Sequence, residues 1–189
     1  NAAKPKRWHA GLSPHAPYSV HGDLLSGLCL LSAVHQVPLA MHLAETLEEI
    51  ELLEMGTGPL RELLERLGVW DAIGIQSPGS IQACLEELSR CWRASVIHGN
   101  YLDVDHRRFI GQHRDVMSVV FCPRTHAYFG HSDYPLEQML DADVRVALGT
   151  DSRASNPDLS MIAELGFLAS EFPHVSAEQL LFSATHAGA

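Results

Sequence analysis

Five short strand candidates alternate with helix-patterned segments along this chain, and that alternation restricts the fold more than any other feature. The candidates are Arg7–Leu12, Val37–Leu43, Ala94–Ile97, Val116–Phe121 and Val144–Leu148. Val37–Leu43 is apolar apart from Pro38 and His42, the pattern of a strand buried on both faces. Helical patterns cover Asp23–Gln36, Thr46–Met55, Pro59–Leu67, Ser80–Arg90, Asp103–His113, Leu136–Asp141, Leu159–Ser170 and Ala177–Thr185. In the first of these, Leu24, Leu25, Leu28, Leu31 and Val34 recur at helical spacing. Such an order predicts a parallel sheet covered by helices. The predicted fold class is α/β, a partial (β/α)8 TIM-type barrel. Five strands in 189 residues fall short of a closed eight-stranded barrel, which takes roughly 250 residues.

Charge narrows the function classes. Thirteen Lys and Arg against 23 Asp and Glu leave a formal charge of −10. That sign argues against a nucleic-acid or anionic-membrane partner, since both need clustered cations. The longest apolar runs, such as Leu28–Leu31 and Met117–Cys122, are far below the roughly 20 residues of a membrane span. No basic-then-apolar leader pattern opens the sequence. Cys29, Cys84, Cys91 and Cys122 form no Cys-x-x-Cys pair, so they read as reduced thiols in a cytoplasmic protein. The twelve histidines nearly equal all the lysines and arginines, and histidine is the commonest metal ligand.

In a parallel sheet of this kind, function collects in the loops after the C-terminal strand ends. Four of the candidate strands end on an ionisable group: Ser13-Pro14-His15, His42-Leu43-Ala44-Glu45, His98-Gly99-Asn100 and Gly149-Thr150-Asp151. A single loop histidine is ordinarily a solvated side chain. Four such groups at equivalent strand ends converge if the sheet curls. Nitrogen from His42 and His98, with oxygen from Asp151, suits zinc or ferrous iron better than magnesium or calcium. Glu45, three residues beyond His42, is placed to carry a proton to and from water beside such an ion. The competing reading puts Glu45 in the first turn of an acidic helix with Glu48 and Glu49, where the helix dipole favours carboxylates.

These residues carry a resemblance. Ser13-Pro14-His15-Ala16-Pro17-Tyr18-Ser19-Val20, His42-Leu43-Ala44-Glu45-Thr46, His98-Gly99-Asn100, Cys122-Pro123-Arg124-Thr125-His126 and Gly149-Thr150-Asp151-Ser152 stand in the order seen in the amidohydrolase superfamily. The chain most resembles the branch of cytosine, guanine and S-adenosylhomocysteine deaminases and triazine chlorohydrolases, from about Trp8 onward. The resemblance implies a distorted barrel, here its strands four to eight, that binds one divalent metal, zinc or iron, and activates water. It makes His42, His98 and Asp151 the residues at the metal, and Glu45, His98 and Asp151 the catalytic group. It places His15 against the substrate, with Arg124, His126 and His131, after strand seven, as weaker candidates for substrate contacts. Ser152 and Asn156 would brace the metal loop.

One departure matters. The family pattern has a His-x-His pair on its first strand, and His9, His15, His21 and His35 are all wrongly spaced for it. Residues 1–189 are therefore expected to form the C-terminal portion of one metal-dependent hydrolase barrel, without the N-terminal strands and the accompanying β-sandwich. Such a chain alone should hold metal weakly, be inactive and pair its open sheet edge with another copy, giving a homo-oligomer. The implied reaction is hydrolytic deamination of an aminated purine- or pyrimidine-type heterocycle, with a small molecule as the partner. Triazine dechlorination, cyclic-amide opening and a non-catalytic remnant are the alternatives.

Overall fold

The computed structural model describes residues 10–70 and 79–188. Four strands, β1 (Leu39–Leu43), β2 (Ala94–His98), β3 (Met117–Phe121) and β4 (Val146–Leu148), form one sheet in sequential order. All three pairings are parallel. The register sets Leu43 against His98 and Phe121 against Leu148, so the strands finish nearly level at one end. Of the candidate Arg7–Leu12, residues 7–9 lie outside the described residues, and Leu12 makes a single parallel bridge to Leu39. The segment continues beside β1, where the His15 carbonyl accepts the His42 N–H at 2.8 Å.

Helices α1 (Gly22–His35), α2 (Leu47–Met55), α3 (Pro59–Arg66) and α4 (Ile81–Leu88) precede β2, and α5 (Val104–Gln112) precedes β3. Helices α6 (Pro123–Phe129) and α7 (Leu136–Asp141) lie between β3 and β4. Helices α8 (Met161–Glu171) and α9 (Ala177–Ala184) follow β4. Local chemistry explains several starts. Thr46 accepts the Glu49 N–H ahead of α2, Asp103 caps α5, and Ser176 with Gln179 closes a reciprocal box ahead of α9. Helix α6 was not expected from the sequence: its seven residues have no apolar period, and Pro123 alone pre-sets its first turn. No described helix is long and apolar enough to cross a membrane.

Strands β1 to β3 do not bury both faces, whereas all three residues of β4 are buried. In β1, Leu39, Met41 and Leu43 are buried while Ala40 and His42 are half-buried, and β2 and β3 alternate in the same way. The buried set packs on Leu25 and Cys29 of α1, Leu85 and Leu88 of α4, and Ile110 of α5. Helices therefore cover one face, whereas the opposite face is only half covered among the described residues. The apolar run through β1 was expected to be buried on both sides, and the open face corrects that expectation.

One close approach carries a stability prediction. A Cβ at Gly111, in the last turn of α5, would stand 1.9 Å from the Ala142 carbonyl oxygen. Backbone cannot yield as a flexible side chain would, so α5 must lift from the turn after α7. Gly111→Ala is expected to cost about 1–3 kcal/mol, read as a lowered midpoint in urea unfolding. An unchanged midpoint would show that the two segments separate freely.

Candidate active site

The level strand ends assemble the candidate groups. His42 is the fourth residue of β1, and its Nδ1 lies 2.9 Å from the His15 carbonyl oxygen. A carbonyl can only accept, so Nδ1 carries a proton and Nε2 is the ring nitrogen left to face the site. This second partner is the kind that orients a ligating imidazole. The His15 ring stands 5.1 Å from that of His42, which in turn is 5.3 Å from His98. His15 is exposed, and its Nδ1 is 2.7 Å from Ser19 Oγ.

His98 closes β2. Its ring is buried, and burial together with the nearby His42 lowers its pKa to about 4, so it is neutral at pH 7. Its Nε2 lies 3.4 Å from Glu45 Oε1. Burial also pushes the Glu45 carboxyl above its ordinary range, opposed by the field of His42 and reinforced by that of Asp151. A carboxyl raised above its ordinary range beside a neutral imidazole is suited to taking and returning a proton.

Backbone conformation marks the same edge. Ala44, His98 and Asp151 adopt φ of 56°, 71° and 55°, a region that ordinary side chains seldom occupy. Unusual backbone of this kind gathers where a fold aims side chains for function. Each turn is tied down: Tyr134, stacked on Phe121, donates to the His98 carbonyl at 3.0 Å. Asp151 accepts the Ser152 N–H at 2.7 Å and the Ser155 hydroxyl at 3.3 Å, and Ser155 also meets Thr125 of α6 at 3.0 Å. Asn156 donates to the Thr150 carbonyl at 2.7 Å and to buried Glu164 of α8. Ser152 and Asn156 thus both bond into the loop that carries Asp151.

Arg124 stands apart from this group, whereas His126 lies close enough to His98 to help lower its pKa. The Arg124 guanidinium pairs with Asp158 through two bonds of 2.9 and 3.3 Å and lies 3.7 Å from Glu164, so its charge is met within the chain. His126, with its pKa lowered to about 4 by burial and by His131, has a buried Nε2 without a partner among the described residues. It lines a cleft of about 520 Å³ shared with His131, Asp133, Tyr134, Glu137 and Glu171. His131 accepts from or donates to the Tyr101 hydroxyl at 3.1 Å.

The donors, imidazole nitrogen and carboxylate oxygen, have the chemistry of a zinc or iron site. Their number falls short: among the described residues, no three His, Cys, Asp or Glu side chains converge to hold a metal ion. Four further buried residues support this edge: Tyr134 and Glu164, which the sequence did not single out, Asn100, which it offered only within His98-Gly99-Asn100, and Glu49, which it offered only as part of an acidic first turn. Glu49 left one further signal, since Thr46-x-x-Glu49 has the form of a capping box.

The model of the Amidohydrolase family matches residues 1–189. The chain is 31% identical over 183 residues to a 5-methylthioadenosine/S-adenosylhomocysteine deaminase of Pyrococcus furiosus, covering 92% of this chain and 38% of that protein. Its fold is similar to that of Helicobacter pylori aminofutalosine deaminase in complex with methylthio-coformycin. There the TM-score is 0.81 at 22% identity, over 98% of this chain and 46% of the other. It is also similar to an adenosine deaminase from Xanthomonas campestris with bound zinc, with a TM-score of 0.68 at 24% identity, over 94% and 37% of the two chains. The chain therefore spans less than half the length of each of these proteins.

Proposed function

Because the chain belongs to the amidohydrolase family, we propose that it carries one side of the active site of a hydrolytic deaminase acting on an aminated purine-type heterocycle. The observation that carries this reading is Glu45 standing against neutral His98, with His42 bonded through Nδ1 so that Nε2 is left to face the site. In the same reading, the segment at Leu12 and strands β1 to β4 are strands four to eight of a barrel. The remaining strands and metal ligands come from outside the described residues. His42, Asp151 and, at close range, His98 supply this chain's share of the ligands, and the ion is zinc or iron. Such an ion supplies water with a pKa near neutrality.

The work of this chain's own residues follows from their placement. Glu45 takes a proton from the attacking water and gives it to a ring nitrogen, then takes the second proton from the new hydroxyl of the tetrahedral centre and gives it to the amino group, which departs as ammonia. Neutral His98 and Asp151 orient the nucleophile and meet charge as the tetrahedral centre forms. His15 and His126 face the substrate. The purine preference is drawn from the deaminase relative that acts on 5-methylthioadenosine and S-adenosylhomocysteine.

Ammonia release tests the reading. The complete protein, loaded with zinc, is incubated with adenine nucleosides, and free ammonia is measured against chloride release from a chlorotriazine. Ammonia from the nucleosides is the expected result. Chloride without ammonia would overturn deamination in favour of dechlorination.

A further inference from the structure

The main-chain polar groups of Ala44 and Glu45 are held from two separate segments. The Ala44 N–H donates to Glu49 Oε1 at 3.0 Å, and the Glu45 N–H donates to Glu49 Oε2 at 2.8 Å. The Ala44 carbonyl accepts the Tyr101 N–H at 3.0 Å, and the Glu45 carbonyl accepts Asn100 Nδ2 at 2.9 Å. All four main-chain polar groups are thus engaged, although the residues belong to neither a strand nor a helix. Ala44 needs that support, because its φ of 56° is a conformation that alanine disfavours.

Helix capping does not explain these bonds. A glutamate in the third helical position ordinarily reaches back to the cap residue's own N–H. Here both carboxylate oxygens extend beyond Thr46 to the two residues before it. Glu49 is 1% exposed, and burial pushes its carboxyl up to about 7. Asn100 is also anomalous: it is buried, and its Oδ1 has no partner among the described residues. A half-satisfied buried amide is costly, and its satisfied half reaches Glu45. Since Asn100 stands two residues after His98, that bond ties the loop bearing the imidazole to the loop bearing the carboxylate.

We propose that Glu49 and Asn100 are positioning residues that together hold the Glu45 carboxylate at its 3.4 Å contact with His98. The proposal rests on the reading of Glu45 as the proton carrier, and neither residue touches substrate. Glu49 sets the φ and direction of the chain as it leaves β1. Asn100 sets the separation of the two loops.

Four variants and two readouts test this in the complete, zinc-loaded protein. Glu49→Gln keeps the shape but turns one acceptor into a donor facing an N–H. Asn100→Ala removes the donor to Glu45 without touching α2. Each is expected to lower kcat about 10–100-fold, as loss of an outer supporting bond does, with KM and zinc content unchanged. Hydrogen exchange at the Ala44 and Glu45 amides should rise at least about tenfold in Glu49→Gln, while β2 and β3 amides keep their rates. In the Glu45→Gln background, adding Glu49→Gln should slow turnover no further, because a residue acting through Glu45 has nothing left to position. Parental kcat in both single variants, unchanged exchange, or losses that multiply in the double variant would overturn the proposal. If Glu45→Gln itself turns over normally, the reading of Glu45 fails, and the exchange measurement still decides whether the clamp exists.

Discussion

Replacing Glu45 with glutamine is expected to reduce turnover by about 10²–10⁴-fold, the range that a positioned acid–base group contributes. Zinc content and unfolding midpoint should stay at the parental level. The reasons are geometric. Glutamine preserves the volume and can hold the 3.4 Å contact to His98 Nε2, but it neither accepts nor returns a proton near neutrality. The main-chain bonds at residue 45 go to Glu49 and Asn100 rather than to the substituted side chain, so the turn survives. Because burial raises the Glu45 carboxyl, the acidic limb of the parental kcat profile should fall above the pH at which an ordinary glutamate titrates, and the variant should lose that limb. Single-turnover ammonia release across pH measures both. Parental turnover in Glu45→Gln would remove the proton carrier from the mechanism.

How much of this site could be read from the sequence depends on the scale of the signal. Strand ends were legible because each of β1, β2 and β4 carries an ionisable group within or just beyond its last residues: His42, His98 and Asp151. Helices α1 to α5 and α7 to α9 were legible through apolar period and cap residues, with ends displaced by one or two positions where capping residues stand outside the helix. Helix α6 was not, since a seven-residue turn beginning at a proline leaves no period to detect. The burial of β1 was misjudged for a tertiary reason: whether a sheet's second face is covered depends on segments far away in sequence. Supporting residues were hidden for a similar reason. Glu164 of α8 bonds the Arg124 N–H and Asn156 across separations of 40 and 8 residues, and Tyr134 reaches the His98 carbonyl across 36. Arg124 shows the converse. The family resemblance made it a candidate substrate contact, and the sequence did not show that Asp158, 34 residues on, pairs with its guanidinium.

In the complete protein loaded with zinc, if Asp151 is a ligand as proposed, Asp151→Asn is expected to weaken zinc binding by more than the roughly 10–100-fold that loss of an outer supporting partner costs a metal site. Asparagine is the informative replacement because Asp151 sits at φ 55°, where asparagine is tolerated and alanine is strained. It can also accept the Ser152 N–H, as Asp151 Oδ1 does at 2.7 Å. The loop therefore keeps its shape while the ligand loses its charge and half of its oxygen donors. Removing only the support, by Ser155→Ala, deletes the 3.3 Å bond to Oδ2 and should fall within the smaller range. His42→Ala should match or exceed Asp151→Asn, since it deletes the imidazole whose Nδ1 bond to the His15 carbonyl leaves Nε2 to face the site. Zinc per chain, measured by elemental analysis after dialysis against a graded chelator, ranks the three variants. Parental zinc retention in both Asp151→Asn and His42→Ala would mean that the ion is held without these strand ends. The level edge of the sheet would then serve substrate binding alone, and Glu45 would have no activated water to deprotonate.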